Sequence, residues 1–497
     1  MMNQRSKHIL IFAVVASLAT LGIYLTQRFR FYHLESNWLF LYDWADICSR
    51  LKMTGGLALV VSSFLTQFFR IPFVGVVVTA LIYLSCGWLF HKVLSRKVSG
   101  VALAGISLIP AAFMFLCLEN DYYGYHAHVA LLINIAALYG FTLMRPTMFR
   151  TLCGVAAVLL LYQMTGSAAL VFTVCTVIWD ISERGVKGLV SLTYPAVFML
   201  MAWLLIRTAK VDSWEEAFTP FMYYSRPSTY FFPIYAWASI PLLMLATLIL
   251  ALLKFAPSKG MAYALAGCVV AFFIAGNLYG KVHSRTIYRM IQEQYWAENS
   301  DWDRIIKTAD RRQPTYLVSY LNLALAHKGM LVQNFMYYNP QSLASIMLPT
   351  PNLKLGLTLQ SNVYMAWGYL GSAQKATFDG NLVTPGSVHP RLIQSLIKSN
   401  LVLGADEVAE KYITLLEKTL FYKKWAESMR RFINDPDAVR NDPELGRLYA
   451  SMPETDEYAR YDGLVGDLRD IHMANPSDRI ISQFYELYQI LEKEESR

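Results

Sequence analysis

Acidic residues are scarce in the first part of this 497-residue chain. Residues 1–280 hold ten Asp and Glu against nineteen Lys and Arg, whereas residues 281–497 hold 26 and 25. Charged residues make up 16% overall and hydrophobic ones 55%, against about 25% charged in ordinary soluble domains. The deficit excludes a soluble fold for residues 1–280. Cysteine is absent after Cys268. The six that exist (Cys48, Cys86, Cys117, Cys153, Cys175, Cys268) lie mostly within apolar runs, and no pair has zinc-ligand spacing, which argues against a metal site and a disulfide framework. The second half also lacks a Gly-rich phosphate loop, an HExxH and a GxSxG. The pI near 9.0 is no nucleic-acid footprint, because the basic excess sits between apolar segments.

Apolar runs fill the space the charges leave. A helix crossing a bilayer core of roughly 30 Å needs about twenty apolar residues, and runs of that kind occur near 8–26, 71–91, 101–118, 126–144, 189–206, 233–253 and 261–279. The first follows Arg5 and Lys7 but has no clear small-x-small cleavage site, so it reads as a retained span. Residues 151–181 are too long for one ordinary span and are interrupted by MTGSA, which reads as a short hairpin; one long tilted helix is the alternative. Orientation decides between them. With the hairpin and an inside N-terminus, eleven Lys and Arg fall in short inside segments, against seven in the long outer loops 27–56 and 207–232. The expectation is an all-α protein. A polytopic membrane domain of about nine helices (1–280) precedes an extracytoplasmic, soluble helical-repeat domain (281–497). The N-terminus is cytoplasmic and the chain lies in the inner membrane.

Under this topology only Asp180 and Glu183 of the ten early acids fall inside. Exclusion of acids from hydrocarbon produces much of that segregation by itself. The outer loops nonetheless gather acids, arginines and rings. Loop 27–56 carries Arg28, Arg30, His33, Glu35, Trp38, Tyr42, Asp43 and Asp46, and the apolar stretch 55–70 after it reads as an interfacial or re-entrant helix. The stretch LENDYYGYHAH (118–128) adds Glu119, Asp121, Tyr122, His126 and His128, and loop 207–232 adds Arg226. Arginines hold phosphate through paired hydrogen bonds, aromatic faces stack on sugars or prenyl chains, and a carboxylate can accept the proton of an attacking hydroxyl. The candidate general bases are therefore Asp43 and Glu119, with Glu35 and Asp121 behind them. Arg30 and Arg226 are candidates for phosphate, and Trp38, Tyr122 and His126 for the rest of the substrate. His126 and His128, two positions apart, point to different sides of a helix, so no metal site is expected.

Past Tyr279 the pattern is amphipathic and helical, punctuated by Pro314, Pro340, Pro385, Pro390, Pro436 and Pro443. YLNLALAHKGML (320–331), VYMAWGYLGSAQKA (363–376) and 396–420 each place apolar residues at helical spacing and then a glycine. Gly371 and Gly404 are 33 positions apart. This resembles the tetratricopeptide repeat, a helix pair of about 34 residues, which implies a concave surface for peptides or partner proteins.

GGLALVVSSFLTQFFRIPFVG (55–75) followed by LENDYYGYHAH (118–128) resembles an uncharacterised family of bacterial multi-pass membrane proteins with a helical-repeat tail. The overall plan is similar to membrane glycosyltransferases that use polyprenyl-phosphate sugars and place an acid in the first outer loop; Asp43 or Glu35 matches that acid by position. The paired acidic motif of several such enzymes is not evident here. The likeness implies a transferase with a lipid-phosphate-linked donor as substrate and membrane lipids as surroundings. The alternative is a non-catalytic envelope scaffold that binds envelope proteins through its repeats, and a transporter ranks third. No cofactor and no nucleic-acid partner is expected.

Overall fold

The computed structural model describes residues 4–98, 102–118, 123–211, 213–218, 241–242, 244–249, 252, 285–311, 313–338, 346, 354–452 and 464–495. The described residues are helical, with no strand among them. The chain divides into two compact units: Met1–Leu34 with Asp43–Ser284, and Glu35–Tyr42 with Arg285–Arg497.

The first unit begins with helix Gln4–Glu35. It runs through residues 27–35, which the sequence reading gave to an outer loop. No Gly or Pro interrupts QRFRFYHLE, and Arg28 lies over the rings of Tyr24 and Phe29, so the helix carries on. Among the described residues, three helical stretches are long and apolar enough, by length and composition, to cross a membrane: Pro72–Leu94, His126–Leu143 and the run Met148–Arg207. Residues 102–118 form two pieces, Ala102–Ser107 and Ile109–Leu118, with Pro110 in the first turn of the second. Gly56–Thr66 is a shorter apolar helix entered through Gly55, whose φ of 77° suits glycine and whose N–H donates to Gln163 O at 2.9 Å.

The long run Met148–Arg207 folds back on itself. Helix Met148–Thr165 breaks at a 3-10 turn, Gly166–Ala168, where Gly166 has φ 63°. The chain returns as Ala169–Arg184, so that Arg150, near the start of one arm, meets Asp180 and Glu183 at the end of the other. The segment is a hairpin rather than one long helix. Thr193–Arg207 then packs against the first arm, closely enough that a Cβ on Gly154 would stand 2.6 Å from the Tyr194 ring. The spans expected at 233–253 and 261–279 lie largely or wholly outside the described residues.

Among the described residues of the second unit, three helix pairs turn on glycines in the left-handed region, where a Cβ would be strained. Thr315–Lys328 and Leu331–Tyr338 join at Gly329, Lys354–Trp367 and Leu370–Leu382 at Gly368, and Pro390–Val402 and Asp406–Glu417 at Gly404. Gly371 sits inside helix Leu370–Leu382. The 33-residue interval measured from it is therefore not the turn-to-turn spacing, which is 39 and then 36 residues. Later helices start at proline after a capping acid: Asp435 accepts from Ala438 N at 2.9 Å and Asp442 from Leu445 N at 3.0 Å. Leu39 and Leu41 are part of this unit's core, packed among Leu370, Ile393, Leu396 and Ile397.

Candidate functional site

The candidate residues of the first outer loop divide between the two units. Asp43 belongs to the first. It is the N-cap of helix Trp44–Leu51, extended at φ −133°, and its Oδ1 accepts from Ala45 N at 2.9 Å. Asp46 pairs with Arg50 at 2.8 Å. Arg30, also in the first unit, is fully buried, and its Nε donates to Gln27 Oε1 at 2.9 Å.

Glu35 belongs to the second unit and is buried there. It ends a helix, where the macrodipole disfavours negative charge, and opposite charge answers it. Arg391 Nη1 stands 2.5 Å from Oε2, and Tyr422 OH donates to Oε1 at 2.8 Å. The Nε of Arg391 faces Glu298 Oε2 at 3.0 Å, and Gln294 donates to the other oxygen of Glu298 at 2.8 Å. The segment that follows is held residue by residue. Lys354 Nζ donates to Ser36 Oγ at 2.7 Å and Asn37 Oδ1 at 2.5 Å, Gly386 N donates to Asn37 O at 2.9 Å, and Tyr42 N donates to Lys418 O at 2.7 Å. Trp38 is half-buried over Gly386, where an added Cβ would lie 3.1 Å from its ring. Glu35–Tyr42 is thus held against the second unit along its length, with a paired acid at one end and Leu39, Phe40 and Leu41 buried in succession.

Within the first unit, His126 and His128 open helix His126–Leu143, both buried. The His128 ring lies nearly parallel to the rings of Tyr83 and Tyr125, with centroids 5.4 and 5.0 Å away, and shares a 2.9 Å hydrogen bond with Tyr83 OH through Nε2. Tyr125 OH meets Thr79 Oγ1 at 2.9 Å, and Phe69 stands edge-on to Tyr125. At the other end of the same helix is a second polar centre. Arg150, fully buried, bonds Asp180, reaches Glu183 at 2.7 Å and donates to Met144 O at 3.2 Å. Tyr194 OH donates to Asp180 at 3.0 Å, and Lys97 pairs with Glu183 at 2.9 Å.

Glu119, Asp121, Tyr122 and Arg226 lie outside the described residues. Among the described residues no group of three or more His, Cys, Asp and Glu could hold a metal ion. Sequence reasoning missed Arg391, Tyr422 and Lys354, which lie more than 300 residues beyond the segment they hold, and Glu298, which pairs with Arg391; none carries a local signal. It also passed over Arg150 and Asp180. There the signal existed, since an acid at the end of a long apolar run needs a partner.

The chain belongs to the Family of unknown function (DUF6057), whose pattern matches residues 4–496 and so takes in both units. Comparison with curated proteins and with solved structures found no match.

Proposed function

We propose that this chain is an integral membrane scaffold: the first unit lies in the cytoplasmic membrane with the N-terminus inside, and the second is an extracytoplasmic helical domain offering a surface to envelope proteins. The membrane part is supported by helices whose outward faces are apolar. Phe149 is 68% exposed and Leu160 62% on the helix that buries Arg150, and Leu200 is 54% exposed on Thr193–Arg207. A soluble protein rarely presents apolar patches beyond a few hundred Å², whereas lipid solvates such faces without cost.

The observation that carries the scaffold reading over the transferase reading is the state of Glu35. An acid–base catalyst needs an oxygen within reach of substrate. Glu35 spends both oxygens on Arg391 and Tyr422, and Asp43 uses Oδ1 as a helix cap. Both are assigned structural roles. A polyprenyl-phosphate-dependent transferase remains the second reading, resting on Arg30 within the first unit.

Native mass spectrometry of the detergent-purified protein separates the two. The scaffold retains ordinary phospholipids only. A co-purifying polyprenyl-phosphate lipid that is lost in Arg30→Gln would overturn the scaffold reading in favour of transfer.

A further inference from the structure

Helix Arg285–Glu298 buries an acid that the segment anchor does not use. Glu293 is fully buried, and neither carboxylate oxygen accepts a hydrogen bond. Arg289 faces it from one turn earlier, but at 3.4 Å, long for a hydrogen bond. That arginine is committed elsewhere: its Nη1 holds Asp310 at 2.7 Å and its Nη2 holds Thr308 O. An ionised carboxylate without hydrogen bonds in such a place is costly, and a protonated one is not.

Other titratable groups lie around this acid. Tyr320, fully buried on helix Thr315–Lys328, feels the charges of Glu298, Glu293 and Arg391 together, and its hydroxyl faces Asn362 of helix Lys354–Trp367. Glu298 and Glu35 share Arg391 between them. The groups that face the cluster are thus Arg289 and Glu298 from the same helix, Asp310 from the following loop, Tyr320, Arg391 from Pro390–Val402, and Glu35.

We propose that Glu293 is a proton-responsive group of the second unit: protonated it is accommodated in the core, and on losing its proton it sets there a negative charge that Arg289 answers only at 3.4 Å, which weakens the unit. Burial pushes the Glu293 carboxyl up to about 8, with Arg289 opposing only in part. The folded state therefore holds this proton more tightly than the unfolded chain does. Its contribution to stability is complete below the ordinary glutamate range, falls as pH rises, and is gone above about pH 8.

The test uses the full chain in detergent, melted near pH 5.5 and near pH 8.5 and followed by far-ultraviolet circular dichroism. The wild type should lose about 5 °C more between the two conditions than Glu293→Gln does, while the exposed control Glu444→Gln behaves as wild type. An equal loss in wild type and Glu293→Gln would overturn the proposal. Should Glu293→Gln fail to fold, infrared titration of the wild type decides. A carboxylic-acid carbonyl band that persists past neutral pH and vanishes near pH 8 supports it, and its absence at neutral pH overturns it.

Discussion

The two units distribute charge between core and surface in opposite ways. In the first, the core holds Arg150, Asp180 and His128 while Leu160, Phe149 and Leu200 face outward. In the second, the core is Ile397, Leu416 and Phe432, and charged pairs such as Lys398–Glu444 and Arg430–Glu417 lie at the surface. The difference teaches where a charge can be tolerated. On the membrane reading proposed above, the first unit's surface meets lipid and must be apolar, so its polar side chains retreat inward and pair there. A surface that meets water accepts charge freely, so the interior is left to apolar packing. Glu35 and Glu293 break the second rule; for Glu35 the pairing with Arg391 and Tyr422 is the compensation, and Glu293 faces Arg289 only at 3.4 Å.

The contrast can be broken most severely at the hairpin. Asp180→Ala would leave Arg150 buried with only Glu183 opposite, and removing one partner of a buried pair costs about 3–5 kcal/mol. We expect little folded protein by size-exclusion chromatography in detergent. A monodisperse peak of normal thermal stability would show the pair to be dispensable. A smaller loss is expected at the anchor. Arg391→Met should lower stability by about 3 kcal/mol through the stranded Glu35. The double variant with Glu35→Gln should recover part of that, which thermal melts of the three proteins would measure; additive losses would mean that the two residues do not act together. The smallest effect belongs to Asp43→Ala, which removes a helix cap worth about 1 kcal/mol. A collapse of the fold there would show that Asp43 does more than cap.

The helical class, the interrupted run at Thr165–Ser167 and the position of the Gly404 turn were legible from residue pattern, because apolar periodicity and glycine act locally. The end of the first helix was misplaced because Arg28, Arg30, His33 and Glu35 look like a polar loop in one dimension. In three dimensions Arg28 covers rings one turn back, and Glu35 finds its countercharge at Arg391. Gly371 was read as the turn glycine in place of Gly368 for a related reason. Both lie in the same short stretch, and only backbone conformation (φ 82° at Gly368) tells them apart. The candidate site was least legible of all. Residue type put Glu35 and Asp43 among the catalytic acids, but what each carboxylate bonds depends on partners that sequence spacing does not encode.

The most direct test of the membrane claim is collision accessibility of single spin labels on the reconstituted, otherwise cysteine-free protein. Labels would replace Leu160 and Leu200 in the first unit and Leu382, 76% exposed, in the second. The account predicts that Leu160 and Leu200 labels collide readily with oxygen and hardly at all with a water-soluble nickel complex, with the reverse at Leu382. Nickel access at Leu160 and Leu200 equal to that at Leu382 would contradict it.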